Sequence, residues 1–262
     1  MKPYTRLTLP NGLRVLLVPQ TDAIATTVLV LVTAGSKYET KRINGLSHFL
    51  EHMCFKGTTK RPKAIQISSM LDGLGAEYNA FTSQEWTGYY AKVRAEKSYE
   101  ALELISDLYV NPIFDAAEME KEKGVVIEEI NMYEDLPPRR VSELFTQLLY
   151  GDQPAGWDIA GKKEIIRGLT REDLITYRNA HYVAKGTIIV IAGAFNEAKA
   201  LTEIKAHFKE ISREKKSDKL KTKEHQTKPE LFVQFKETDQ THFVLGCRAF
   251  DAHDERRYAL EV

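Results

Sequence analysis

The sequence predicts an α+β fold, a mainly antiparallel sheet packed with helices, and three observations carry that expectation. Short apolar runs bounded by turn residues stand at 4–9, 13–19, 26–33, 76–82, 86–94 and 187–192. Between them lie longer segments whose apolar residues recur at three and four. The strand-like runs come before and after blocks of helices and do not alternate regularly with them, which argues against a doubly wound parallel sheet.

The elements follow in order. Pro10-Asn11-Gly12 joins the first two runs as a hairpin turn. Residues 26–33 are almost continuously apolar, the pattern of a central strand, and Ala34-Gly35-Ser36 ends it. A helix is expected over 44–55, stopped by Lys56-Gly57-Thr58, and a second begins near Lys63. Gly73 and Gly75 turn the chain into 76–82, and 86–94 follows as the next strand. Helices are predicted over 98–109, through Glu122 and Glu129 up to Leu136-Pro137-Pro138, over 141–150, over 171–181 and over 196–208. Residues 151–161 read as a loop.

Residues 212–230 differ from the rest, being rich in Lys, Glu, Ser, Thr and Gln with almost no apolar side chains. Acidic residues interrupt the basic run and no aromatic platform accompanies it, so it reads as a charged, solvated linker. Beyond it, 231–235 and 242–247 again look like strands. Aligning Thr241 on Thr27 also matches Val244 to Val30, Leu245 to Leu31, Arg256 to Arg42 and Leu260 to Leu46. In that register Val262 falls on His48, and the chain stops inside an apolar-periodic stretch with no cap. The expected organisation is a domain over 1–211, a linker over 212–230, and over 231–262 the truncated beginning of a second, homologous domain without a metal motif.

Composition narrows the function classes. Of 262 residues, 37 are Lys or Arg and 37 are Asp or Glu, so the net charge is zero and neither nucleic acid nor an anionic membrane is an expected partner. Two cysteines, Cys54 and Cys247, make no disulfide framework. The N-terminus lacks an apolar signal core, and no run reaches membrane-spanning length. A soluble, cytoplasmic protein is expected.

The chemistry concentrates in Gly45-Leu46-Ser47-His48-Phe49-Leu50-Glu51-His52-Met53. On a helix His48 and His52, four apart, share a face, and Glu51 sits beside them. Two imidazoles can grip zinc, and a neighbouring carboxylate that is not a ligand can take a proton from the metal's water. The plainer alternative is two partly exposed helix histidines beside a solvated glutamate. Cys54 lies off the ligand face and is an unfavourable zinc thiolate. A catalytic zinc needs a third protein ligand. Downstream, Glu122 and Glu129 are two helical turns apart on one face, while Glu128 points about 100° away from Glu129. Such a stacked pair suits one metal ligand and one carboxylate that orients a histidine, although solvated glutamates are the commoner case.

The H-x-x-E-H order with this distant glutamate resembles the inverzincin, or pitrilysin-like, metallopeptidases, a family including insulin-degrading enzyme and the mitochondrial processing peptidase. The segments 73–83, Gly156-Trp157-Asp158-Ile159-Ala160-Gly161 and His181-Tyr182-Val183 also resemble family segments, and the likeness covers almost the whole chain. It is nearest the bacterial and mitochondrial processing-peptidase branch. The resemblance implies one Zn2+ per chain on His48, His52 and Glu129, Glu51 as general base, and Glu122 as the supporting glutamate. It further implies an edge strand, Tyr78-Asn79-Ala80-Phe81, that pairs with peptide substrate through its backbone; for the Tyr78 and Phe81 side chains, core packing is an equal alternative. The implied activity is zinc-dependent endopeptidase action on extended peptides or leader segments. The implied partners are a C-terminal homologous half or a homologous subunit, a homodimer included. Some relatives are non-catalytic subunits that have lost the motif, but all four motif positions are intact here. A purely structural zinc would need a fourth protein ligand, and none stands at suitable spacing.

Overall fold

The computed structural model describes residues 4–224, 226–237 and 239–262; His225, within the expected linker, and Thr238 lie outside the described residues. Six strands form one sheet: β1 (Thr5–Thr8), β2 (Arg14–Pro19), β3 (Ala25–Val32), β4 (Glu77–Thr82), β5 (Thr87–Arg94) and β6 (Thr187–Gly193). Their order is β1-β2-β6-β3-β5-β4. Every neighbouring pair is antiparallel except β2 and β6, which run parallel. The architecture is therefore the expected mainly antiparallel sheet with helices.

The hairpin at Pro10-Asn11-Gly12 closes β1 on β2, with Gly12 at φ +92°. Along β3, Thr26, Val28, Val30 and Val32 are fully buried while the residues between them are half-buried. The buried face carries the helical layer. Helix α1 (Leu46–Cys54) and α2 (Ala64–Gly73) lie between β3 and β4 in the chain. Then come α3 (Ser98–Val110), which packs on β3 and β5, α4 (Ala116–Glu134) and α5 (Pro137–Tyr150). Helices α6 (Lys163–Gly168) and α7 (Arg171–His181) lead to β6, and α8 (Glu197–His207) follows it.

Several boundaries differ from the sequence reading. Helix α5 begins at Pro137 and not at residue 141, because proline is tolerated in the first turn, where its missing N–H has no partner to lose. The short α6 was hidden inside a stretch too brief to show a period.

The segments 231–235 and 242–247 form no strand. A short apolar run is enough to suggest a strand, but a strand exists only with a ladder partner, and the described residues offer none there. This part of the chain instead lies along α5. Gly246 sits against the Phe145 ring, Arg248 donates to the Leu149 carbonyl, and Lys236 reaches Asp135 at 2.6 Å. Leu231, Val233, Phe235, Phe243 and Leu245 remain exposed. A five-residue helix, α9 (Arg257–Glu261), ends the chain.

The described residues of the expected linker also form no helix or strand, but part of it is pinned. Gln153 exchanges two hydrogen bonds of 2.8 Å with the Lys223 backbone, and Lys219 pairs with Glu85 at 2.5 Å.

Candidate metal centre

Helix α1 presents two contrasting faces. Leu46, Phe49, Leu50, Met53 and Cys54 are fully buried against the sheet side of the core, each worth about 1.5–3 kcal/mol when removed from water. His48, Glu51 and His52 are on the other, half-buried side. The start of the helix is held by Glu39, a buried carboxylate that the sequence did not single out. It accepts from the Gly45 and Ser47 N–H groups at 2.8 and 2.7 Å and from Asn44 Nδ2 at 3.0 Å. Two of the unpaired donors of the first turn are thus satisfied by a charge that also favours the helix N-terminus. Burial raises the Glu39 pKa, although its hydrogen bonds pull it down. Gly45 must be glycine: its φ is +96°, and a Cβ would meet the Ala160 carbonyl at 2.5 Å.

Helix α4 crosses α1 and is capped by Asp115, which accepts from Ala117 and Glu118. It carries Glu122 and Glu129 to the histidines, whereas Glu128 faces solvent and pairs with Asn131 at 3.1 Å. The three donor atoms converge. His48 Nε2 and His52 Nε2 are 3.3 Å apart, and Glu129 Oε2 lies 3.6 Å from the first and 3.4 Å from the second. Ligand atoms on a tetrahedral zinc with bonds of about 2.0–2.2 Å stand roughly 3.3–3.6 Å apart. The set therefore fits zinc without rearrangement, and it is the one such cluster of His, Cys, Asp or Glu among the described residues.

The surroundings orient these donors. Glu122 Oε1 is 2.9 Å from His52 Nδ1, which turns the His52 Nε2 toward Glu129. Lys56 Nζ grips the other Glu122 oxygen at 2.6 Å. Burial opposes the Glu122 charge, but these two contacts prevail and lower its pKa. Burial likewise opposes charge on His52, yet its bonds to Glu122 and Glu129 raise it to about 9. Burial and the neighbouring His52 push His48 down to about 4. The bond from His52 holds Glu129 at about 2. Ligating imidazole nitrogens must be unprotonated, so a divalent cation held by both histidines would displace any proton on those nitrogens.

Glu51 is raised by burial, against the pull of the Thr82 hydroxyl, which donates to its Oε2 at 2.5 Å. Thr82 ends β4, the outermost strand of the sheet on that side. Along β4, Tyr78 and Ala80 pack partly against the core, and the Tyr78 hydroxyl lies 3.5 Å from Asp72. Phe81 is 38% exposed and its ring covers Gly88. Asn79 folds back, its Oδ1 accepting from the Ala80 N–H at 2.9 Å. The sequence reading missed Thr82, Lys56 and Glu39. Thr82 closes the predicted strand 76–82, one residue beyond the Tyr78–Phe81 stretch expected to pair with peptide, so its place was foreseen and only its contact with Glu51 was not; Lys56 and Glu39 leave no such signal.

Residues 14–163 match the family described as Insulinase (Peptidase family M16). Residues 168–262 match the family described as Peptidase M16 inactive domain, and that stretch contributes α7, β6 and α8 to the fold above. The chain is 36% identical over 257 residues to a protein of Bacillus subtilis (strain 168) called "Uncharacterized zinc protease YmxG", a match covering 98% of this chain and 62% of that protein. It is 35% identical over 211 residues to a probable mitochondrial-processing peptidase subunit beta of Arabidopsis thaliana, covering 80% of this chain and 40% of that one. The crystal structure of a protease from Helicobacter pylori superposes with a TM-score of 0.77 at 26% identity, over 84% of this chain and 53% of the other. The chain thus spans less than two thirds of the length of these relatives.

Proposed function

The chain belongs to the insulinase family of peptidases, family M16, and on that premise we propose that it carries the metal centre of a zinc-dependent endopeptidase acting on extended peptides or leader segments. The observation that supports this most is the convergence of His48, His52 and Glu129 at tetrahedral spacing, with Glu51 on the same helix face and tied to the end of a sheet edge. Those three residues would hold one zinc per chain, the three-ligand set of a catalytic site. Bound there, zinc would supply Lewis acidity for the attack of water on the scissile carbonyl.

The remaining work falls to the protein. Glu51 accepts the proton of the attacking water and hands it to the departing amine, and its raised pKa brings it nearer the range where a carboxylate can do both. Thr82 occupies Glu51 Oε2, leaving Oε1 for the proton. Glu122, anchored by Lys56, keeps His52 in the tautomer whose Nε2 has a lone pair for the metal. The backbone of Tyr78, Asn79, Ala80 and Phe81, at the open edge of β4, pairs with an extended peptide and lays its scissile bond beside Glu51.

The alternative, a non-catalytic subunit or assembly partner, is less well supported, because every motif side chain is present and aimed at the others. The expected macromolecular partner is a homologous half or subunit, a second copy of this chain included, which would cover the exposed apolar residues of 231–245. Two free cysteines, one exposed and one buried, suit a reducing compartment, and the cytoplasm is the proposed location.

The test is zinc content together with cleavage of a peptide library by the protein and by Glu51→Gln. Stoichiometric zinc with cleavage that Glu51→Gln abolishes is the expected result. Zinc with no cleavage, alone or with the homologous half supplied, favours the non-catalytic reading.

A further inference from the structure

One group at the metal centre is left unused by the reading above. Tyr133 stands four residues after Glu129 on α4, one turn along the same face. Its phenol donates a short hydrogen bond to Glu129 Oε1, the oxygen that does not face the histidines. The ring itself is clamped. The Arg139 guanidinium lies over its face, 3.0 Å from the centroid, and Arg139 Nε is fixed in turn by Glu143 at 3.0 Å. The two oxygens of Glu129 therefore have separate partners, Oε1 the phenol and Oε2 the two Nε2 atoms.

A carboxylate ligand can bind a metal through one oxygen or through both. Bound through both, it occupies two coordination positions and competes with water for the one a hydrolytic zinc must keep open. We propose that Tyr133 is a positioning residue that makes Glu129 a one-oxygen ligand, by holding Oε1 away from the metal and so preserving the water position. The inference rests on the His48, His52 and Glu129 reading. The charge over the ring reinforces it: a cation stacked on a phenol draws electron density from it and strengthens its O–H as a donor. The arrangement is also local. Both residues come from one helix turn, so the pair forms as soon as α4 does.

The experiment strips the protein of metal, reloads it with cobalt(II), and records the visible absorption, whose intensity falls as coordination rises above four. Zinc affinity is measured in parallel by competition with a chelator. Wild type is expected to give the intense bands of a four-coordinate site. Tyr133→Phe, which removes one oxygen and keeps the ring under Arg139, is expected to weaken those bands and to bind zinc about ten-fold less tightly, the scale for losing a ligand's supporting partner. Melting of the metal-free variant should match wild type, which separates this role from a merely structural one. A folded Tyr133→Phe with wild-type bands and affinity overturns the proposal. Should that variant not fold, Arg139→Gln replaces it: a smaller change in the same direction is expected, and unchanged bands overturn the proposal. Failure of wild type to take up either metal overturns the metal-site reading itself and this inference with it.

Discussion

The candidate metal centre is built from two helices that hold their contributions in different ways. Helix α1 sets His48 and His52 by burial: one whole face is sealed in the core, and its first turn is bound by Glu39 inside the protein. The Glu129 end of α4 is held by polar contacts near the surface, a phenol, a guanidinium and a second glutamate, with Met132 and Val125 exposed beside them. Both helices are anchored in the core, since α4 buries Met119, Val126 and Ile130 there; they differ in that Glu129 itself is aimed by directed hydrogen bonds on a partly exposed face. Helix α1 carries the proposed general base and two proposed ligands, and α4 carries the proposed third.

Changes on the two sides should therefore differ in kind, and the largest effect is expected at the ligand itself. Glu129→Gln should lose zinc by more than the roughly 10–100-fold that removal of a supporting partner costs, while Glu128→Gln should bind it normally. Equilibrium dialysis decides the matter; a greater loss from Glu128→Gln would reverse the assignment. Next in size, Glu51→Gln should retain zinc and lose at least about 10²-fold in turnover, the contribution of a placed general base. Near-normal turnover with zinc retained would remove Glu51 from the chemistry.

On the α1 side the expected penalty is in folding and not in ligand chemistry. Glu39→Ala strands two helix N–H groups in the interior and should lower stability by about 1–3 kcal/mol for each group left unpaired. Thermal unfolding of the metal-free protein is the measurement. If stability held while zinc affinity fell, the contrast between the two helices would be mistaken.

The smallest effect is a pH-dependent one. Asp173, at the start of α7, pairs at 2.6 Å with Arg42, just ahead of α1, and that bond depresses its pKa to about 2. A carboxylate lower in the folded state than its unfolded value of about 3.9 stabilises fully above that value. Its contribution then fades as the pH falls through about 2. The difference in urea midpoint between wild type and Asp173→Asn should be constant near neutrality and shrink below about pH 4. A difference that grows on acidification would contradict the sign.

Much of this was legible beforehand, for identifiable reasons. His48, Glu51 and His52 are neighbours in sequence, so helical geometry alone brings them together. Glu129 and Glu122 were paired by their two-turn register and given their roles by the family resemblance, and the turn at Pro10-Asn11-Gly12 was found from its residue chemistry. Glu39 was not legible, because an isolated loop carboxylate acquires its role only when the fold buries it against Gly45 and Ser47. Nor was Lys56 legible, since the expected helix stop gave no hint that its amine turns back on Glu122. Residues 231–235 and 242–247 were read as strands because an apolar run is a property of the segment, whereas a strand is a property of a pair.

The position of β6 sets an order on events during synthesis. Ile189 lies between Val15 on one side and Val30 on the other, so the last of these six strands in chain order is inserted into the middle of the sheet. Until residues 187–193 have left the ribosome, the β1–β2 hairpin and the β3-β5-β4 group have no strand to join them. Both histidines and both glutamates are already in the nascent chain at that stage, on helices whose supporting sheet is in two pieces. The facing edges of β2 and β3 stay open for the length of the intervening chain, an invitation to mispairing that a slow, long-range closure must outlast. The proposed ligand residues all precede β6 in the chain, and the sheet beneath them closes only when β6 is made.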